Sequence, residues 1–256
     1  MENLEDMKAF EMFSRDKVVN NCYFAVRVDG RSFHTEVKRM GFDRPLDKKF
    51  RYYMVEASKK VMEDLGAVFA YTESDETTFL FSKDSNIFNR RHEKIVSIVA
   101  AKMSVAFYSM LPSPLIVLPT FDARILILPS KQQVIDNFRW RQFDSTRNCI
   151  STHCFWVLVQ FGVSKKEAQR ILNKMPNKEK VELLWNRFGI NFWESVEYWE
   201  QLGTMIYVEE YLKDGYNPIT KKSVKAERKR LVAEEVRERF SERNLKKWIN
   251  KGTEII

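Results

Sequence analysis

Two spacings of apolar residues alternate along the first half of the chain. Residues 22–28 (CYFAVRV) form an apolar run broken only by Arg27, which predicts a buried strand. From Leu46, the positions Phe50, Tyr53, Met54, Ala57, Val61 and Leu65 recur at helical spacing, and Gly66 ends the run. Residues 67–73 (AVFAYTE) and 77–82 (TTFLFS) are short β-rich runs around a tight turn, which predicts a hairpin. A helix follows with Phe88, Ile95, Val99, Met103, Ala106 and Met110 on one face, then a strand over 121–128 (FDARILIL). The predicted order is βαββαβ, the ferredoxin-like split unit.

The second half is patterned differently. Residues 131–161 read as a helix with Ile150, Cys154, Val157 and Phe161 as its apolar stripe and Gly162 as its stop. Ser164 with Glu167 predicts a capping box for another helix. A further helix over 178–188 stops at Gly189. Residues 204–212 and 219–230 flank an Asp214-Gly215 turn signal and predict a long basic hairpin; residues 231–249 read as a last, charged helix. The predicted class is α+β. An α/β core occupies 1–130, and a mainly helical module with a basic C-terminal hairpin and helix arm occupies 131–256. Residues 103–121 carry no charge, yet Pro112, Pro114 and Pro119 read as a helix end followed by a buried connection, not a membrane span.

Composition changes this picture in two ways. With 44% hydrophobic and 30% charged residues, the chain is neither disordered nor collagen-like. Cys22, Cys149 and Cys154 are dispersed and odd in number, so no disulfide framework is expected and a reducing cytoplasm fits. Three histidines without paired-cysteine spacing argue against structural zinc. The acidic N-terminus (Glu2, Glu5, Asp6, Glu11) does not read as a signal peptide. The net charge of +8 is uneven: residues 213–251 hold 13 basic and 6 acidic side chains. That asymmetry fits a polyanion partner; it also fits a solvated helix laced with ion pairs, since Glu234, Glu235, Glu238 and Glu242 interleave with Arg237, Arg239 and Arg243.

Two segments carry candidate chemistry. RVDGRSFH at 27–34 follows the first strand directly. Gly30 permits close backbone approach, and the backbone N–H groups of 31–34 with the cationic Arg31 make a phosphate-friendly loop. SDE at 74–76 occupies the predicted hairpin turn. In a βαββαβ unit the end of strand one and that turn share one sheet edge, so Asp29 and Asp75 converge. Like charges that close are costly unless a cation binds. Mg²⁺ favours one or two carboxylates with phosphate oxygens and waters; two such ions roughly 4 Å apart serve phosphoryl or nucleotidyl transfer. Taken singly, Asp-Gly after a strand and Ser-Asp-Glu in a hairpin also read as ordinary turns.

RVDGRSFH and SDE, together with NRRHEK at 89–94, FDAR at 121–124 and WRQFD at 140–144, cover about residues 20–160. In order and spacing the chain resembles the tRNA-His guanylyltransferase family, in particular its archaeal and bacterial guanylyltransferase-like members, which are 3′-to-5′ polymerases with a polymerase-like palm. The resemblance implies that Asp29, the Gly30 carbonyl and Asp75 bind two Mg²⁺, with Asp29 and Asp75 catalytic and Glu76 in support. It implies a nucleoside triphosphate (ATP or GTP) on Asp29, Gly30, Arg31, Ser32, Phe33, His34, Ser74 and Asp75. Arg44 stands where the family usually has lysine, and the two are not interchangeable. Arg27, Arg90, Arg91, Lys94, Arg124, Arg147 and Asn148 are implied for a second triphosphate or the tRNA 5′ end; the three on NRRHEK also read as a solvated helix face. With tRNA as the polyanion, Lys221, Lys222, Lys225, Arg228 and Arg230 become the candidate contacts on the basic arm.

The resemblance also implies a reaction. A tRNA 5′-monophosphate attacks the α-phosphate of ATP, and the 3′-hydroxyl of GTP then attacks the adenylylated end and releases AMP. STRNCIST at 145–152 replaces the His-Ile-Asn-Asn-rich signature of eukaryotic members, which implies templated addition and repair of 5′-truncated tRNA. Homo-oligomers, tetramers or dimers of dimers, are implied as well. The rival readings are a palm-fold nucleotide cyclase, whose Gly-Gly-Asp/Glu-Glu-Phe signature is missing, and a non-catalytic tRNA-binding protein.

Overall fold

The computed structural model describes residues 10–11, 15–112, 117–217 and 222–253. Its first unit has the predicted order: β1 (Tyr23–Gly30), a short α1 (Phe33–Glu36), α2 (Lys48–Leu65), β2 (Phe69–Glu73), β3 (Glu76–Phe81), α3 (His92–Tyr108) and β4 (Phe121–Leu128). Asp47 starts α2 by accepting the N–H groups of Lys49 (2.6 Å) and Phe50 (3.1 Å), and Gly66 ends it in the left-handed region that a side chain would strain. The sheet is antiparallel with β1 between β3 and β4, in the order β4-β1-β3-β2. Alternate β1 residues point to opposite faces. One face packs under α2 and α3 through a ring cluster: Phe33 lies 5.0 Å from Phe121 and 5.7 Å from Phe107, centre to centre. The other face lies under α4 (Lys131–Gln160), whose Phe138 ring sits 4.8 Å from Phe69.

The helix α4 joins two hydrophobic clusters. Ser130 and Gln133 form its capping box. Its first half packs on the palm sheet. Cys149, Ile150, Cys154 and Leu158 pack instead with α5 (Lys165–Leu172), α6 (Asn177–Phe188) and α7 (Phe192–Ser195) in a second cluster. After α8 (Tyr198–Leu202) the chain returns to the palm as β5 (Thr204–Asn217), which pairs with β2 and extends the sheet to six strands, β4-β1-β3-β2-β5-β6. The final helix, α9 (Glu242–Thr253), places Trp248 6.3 Å from Tyr207 and 6.1 Å from Phe240, centre to centre.

Two sequence expectations are corrected here. Asp214-Gly215 is not the hairpin turn. The ladder continues through Asp214↔Lys225 and Gly215↔Val224 to Asn217↔Lys222, so β6 (Lys222–Glu235) pairs along its whole length. Turn propensity at Asp-Gly yields to a ladder already in register on both sides. Residues 231–235 are therefore strand, and the last helix begins only at Glu242. The connection between β5 and β6, with Lys221, lies outside the described residues. No helix among the described residues is long and apolar enough to cross a membrane. In the connection over 103–121, Leu111 and Pro119 are buried while Pro112 and Leu118 are exposed.

Candidate active site

The end of β1 and the β2–β3 turn meet as the topology requires. The Gly30 N–H donates to the Asp75 carbonyl at 3.0 Å, and Asp29 lies opposite Glu76 on β3 and Asp122 on β4. Burial, then the neighbouring Asp29 charge, pushes the Asp75 carboxyl up to about 6. Asp29 is raised too, by burial and by Asp122, against the pull of Arg124, Arg27 and Arg141. Neither carboxylate has an ion pair with a described residue, and no group of three or more His, Cys, Asp or Glu able to hold a metal occurs among the described residues. Two converging carboxylates without an ion pair among the described residues, beside a backbone carbonyl, fit a Mg²⁺ that completes its shell with phosphate oxygens and water.

The loop after β1 is held from beneath. Phe33 is 1% exposed, so its ring serves the core and not a ligand. A Cβ on Gly30 would stand 2.6 Å from that ring, which is why glycine is needed here although its φ is unexceptional. The Arg31 N–H is already used by the Thr120 carbonyl (2.9 Å), which corrects its place in the expected cradle and leaves its exposed guanidinium free to contribute. Ser32 (φ 60°) and Ser74 (φ 45°) both sit in the left-handed region, a strain of about 1–2 kcal/mol each. Among the described residues, Ser32, Phe33 and His34 have no backbone hydrogen-bond acceptor for their N–H groups.

These elements line a cleft of about 1120 Å³ between the palm edge and the helical module. Asp29, Ser74, Asp75, His34, Arg44 and Asn148 all face it. Arg44 donates to the His34 carbonyl and lies over the Trp156 ring, 5.1 Å from its centre. Lys165 approaches the same ring at 5.5 Å. Glu76 is held by Arg141, whose Nε and Nη2 donate to its two oxygens at 2.6 and 2.7 Å. The same guanidinium reaches Glu73 (3.3 Å) and Asp144 (3.2 Å). Burial and the Glu76 charge hold the Glu73 carboxyl well above its ordinary range. Arg141 lies within WRQFD, where its spacing alone assigns it no role. Trp156 and Lys165 also line the cleft, and nothing local in the sequence signals it.

The cationic candidates are distributed unequally. Arg27, 3.7 Å from Glu76, and Arg124, ion-paired with Asp122 at 3.0 Å, lie opposite each other on the Asp29 face. Arg90 is a correction: it is 4% exposed, and its guanidinium donates to the carbonyls of Val18, Val19, Cys22, Lys83 and Ser85. That set stands at the start of β1, roughly 23 Å along the strand from Asp29. Arg91, paired with Glu93 and bridged to Lys17, and Lys94 in the first turn of α3 follow Arg90 and do not line the cleft. Arg147 is a further correction. One residue from Asn148 is a 100° turn of α4, and Arg147 pairs with Asp144 while facing a separate groove with Trp193 and Arg239. On the basic hairpin Arg230 pairs with Glu209 (2.6 Å), and Lys225 and Arg228 are exposed on β6, which begins at Lys222.

An antiparallel palm with two carboxylates on one edge, a strained loop beside them and a deep cleft above defines the class of palm-fold nucleotidyltransferases. The family model of tRNAHis guanylyltransferase matches residues 4–129, and that of the Thg1 C terminal domain matches residues 132–254. The chain is 30% identical to the tRNA(His) guanylyltransferase of Schizosaccharomyces pombe over 234 residues, 89% of this chain and 88% of that protein. A probable tRNA(His) guanylyltransferase of Mus musculus is 35% identical over 195 residues, 73% of this chain and 65% of its own length. Two solved structures of a bacterial tRNA(His) guanylyltransferase-like protein share the fold. The complex with GTP matches with TM-score 0.69 at 26% identity, covering 96% of this chain and 97% of that one. The complex with ATP matches with TM-score 0.66 at 28% identity, covering 81% and 87%. The chain belongs to the tRNAHis guanylyltransferase family of nucleotidyltransferases.

Proposed function

We propose that this protein adds nucleotides to the 5′ end of tRNA in the 3′-to-5′ direction, using ATP and GTP. Addition is templated, and 5′-truncated tRNAs are among its substrates. The observation that carries this reading is the Asp29–Asp75 pair at one sheet edge, joined by the Gly30–Asp75 hydrogen bond and opening on the cleft. Family membership and the ATP- and GTP-bound structures of a related bacterial protein support it. The acidic pair and the Gly30 carbonyl would hold Mg²⁺, which when bound supplies charge neutralisation at the reacting phosphates and a lowered pKa for the attacking hydroxyl.

The chain's own residues do the rest. The free N–H groups of Ser32, Phe33 and His34 orient a triphosphate, and the Phe33 ring fixes the loop that presents them. Arg44 ties that loop to Trp156 across the cleft. Arg27 and Arg124 lie beside Asp29 and attract the phosphates of the RNA end or of a second nucleotide. Arg141 clamps Glu76, and with it the Asp75 turn, to α4. In the first step the RNA 5′-phosphate displaces pyrophosphate from ATP; in the second the GTP 3′-hydroxyl displaces AMP. Residues 1–130, whose sheet β5 and β6 extend, would act as the catalytic palm, and 131–256 would supply the fingers-like helices and the RNA-gripping hairpin, in a cytoplasmic homo-oligomer. Labelled GTP with ATP, Mg²⁺ and a panel of full-length and 5′-truncated tRNAs tests the reading. Labelled RNA, made faster opposite C than opposite A, is expected. A cyclic nucleotide product, or no product with any tRNA, overturns it.

A further inference from the structure

The outer side of α4 carries a second hollow. An α-helix turns 100° per residue, so Phe143, Arg147 and Ile150 point away from Arg141, Ser145 and Asn148, which line the catalytic cleft. The outward residues face α6 and α7 across a groove of about 470 Å³, the size of a small-molecule site. No residue lines both hollows, and α4 stands between them.

Rings and cations meet in this groove. Phe143 is 60% and Trp193 48% exposed, which leaves aromatic surface for stacking beside buried Ile150. Trp193 is braced edge-on by buried Phe192, with 5.0 Å between ring centres. Arg147, Lys178 and Arg239 set three exposed cations against the single acid Glu182. Lys178 is paired with Glu182 at 3.9 Å, and Arg147 with Asp144. Arg239 has no ion pair with a described residue. Its backbone is fixed: its carbonyl accepts from Asn244 Nδ2 at 3.0 Å, and the next N–H, of Phe240, donates to Gln142 Oε1 at 2.7 Å.

We propose that this groove is a second nucleotide site, which takes one nucleoside monophosphate. The base stacks on Phe143 and Trp193, and the phosphate lies on Arg239 with Arg147 beside it. Exposed ring faces match a base, and the cationic excess matches a phosphate. A single unpaired cation suits one phosphate group; a strand of RNA calls for several along its backbone. Asn177 and Glu182 add a donor and acceptors within the groove for the base edge. The site goes beyond the 5′-end chemistry assigned to the cleft and does not depend on it.

Titration calorimetry on the whole protein, without RNA and with the cleft saturated by GTP and Mg²⁺, tests this with AMP as the probe. One AMP should bind per chain. Arg239→Gln and Trp193→Leu should each weaken AMP about tenfold, while GTP affinity stays within about twofold of wild type. Adenosine, which lacks the phosphate, should bind wild type and Arg239→Gln alike. No AMP binding to the GTP-filled protein, or equal AMP affinity in wild type and both variants, overturns the proposal. So does a short single-stranded RNA that binds more tightly than AMP and loses affinity in the same variants, which would make the groove an RNA contact. A smaller oligomer for Trp193→Leu on size exclusion would make it a subunit interface and overturns the proposal as well. Absence of GTP binding in the first titration would sink the functional reading alone, because AMP is then titrated into the open protein and the two variants still decide the groove.

Discussion

At one end of the palm strands Asp29 and Asp75 converge without an ion-pair partner among the described residues, and burial holds both carboxyls above their ordinary range. At the other end Arg90 is also a buried charge, yet carbonyls from the segments on either side of the palm strands surround it. One sheet thus treats buried charge in two ways. Where the protein supplies every partner, the charge is architecture: Arg90 ties the segment before β1 to the loop after β3. Where it withholds the partner, the fold carries an electrostatic cost that a cation and a polyphosphate relieve on binding. Charge type alone does not separate the two; the number of protein partners does.

The largest expected effect breaks the open end. Asp29→Asn and Asp75→Asn should each lower nucleotide addition by on the order of a thousandfold, with unchanged circular dichroism. The pH dependence has a definite sign. Asp75 titrates at about 6 when folded, against an ordinary value of 3.8, so its contribution to stability is full below pH 4 and lost as pH rises through 6. Metal-free wild type should therefore lose thermal stability between pH 4 and 7 relative to Asp75→Asn, and Mg²⁺ at pH 8 should raise the melting temperature of wild type alone. Parallel melting curves for the two proteins, or near-native activity in either variant, would contradict the assignment.

Next comes the charge that bridges the two regimes. Arg141→Met removes the cation bonded to both buried Glu73 and Glu76, leaving only the more distant Arg27 beside Glu76, and should cost about 3 kcal/mol in urea denaturation. Adding Glu76→Gln to it should recover part of that loss; no recovery would mean that Arg141 stabilises through packing on the Trp140 ring, 4.6 Å from its guanidinium, and not through its acids. Arg90→Met should cost about 3 kcal/mol by orphaning backbone carbonyls. Its GTP KM, measured at low temperature where the variant is folded, should match wild type. A raised KM with normal stability would return Arg90 to the phosphate site. Smallest is Gly30→Ala, where the new methyl must displace the Phe33 ring. A loss of about 1–3 kcal/mol is expected, with a raised GTP KM because the loop above the ring moves; a stable variant with wild-type KM would show that the ring does not set the loop.

Much of this was legible in advance. The βαββαβ order follows from apolar periods and glycine stops, and the meeting of Asp29 with Asp75 follows from that order without any coordinate. Arg90 departs from its expected place because an arginine at a helix start looks the same in the sequence whether it faces carbonyls or phosphates. Arg147 and Asn148 were read as one pair, although adjacent helical residues point 100° apart. The Asp-Gly in β5 was read as a turn because local propensity was weighed without the partner strand.

The sequence by itself determined the local elements, the topology of the palm and the convergence of two acids on its edge, because hydrophobic period and chain connectivity are local or combinatorial properties. Only the tertiary structure decided which charges are spent inside the protein and that the C-terminal hairpin extends the palm sheet. Those outcomes depend on pairing register and on the approach of residues far apart in the chain, such as Arg141 to Glu76 and β5 to β2, and no local pattern encodes such distances.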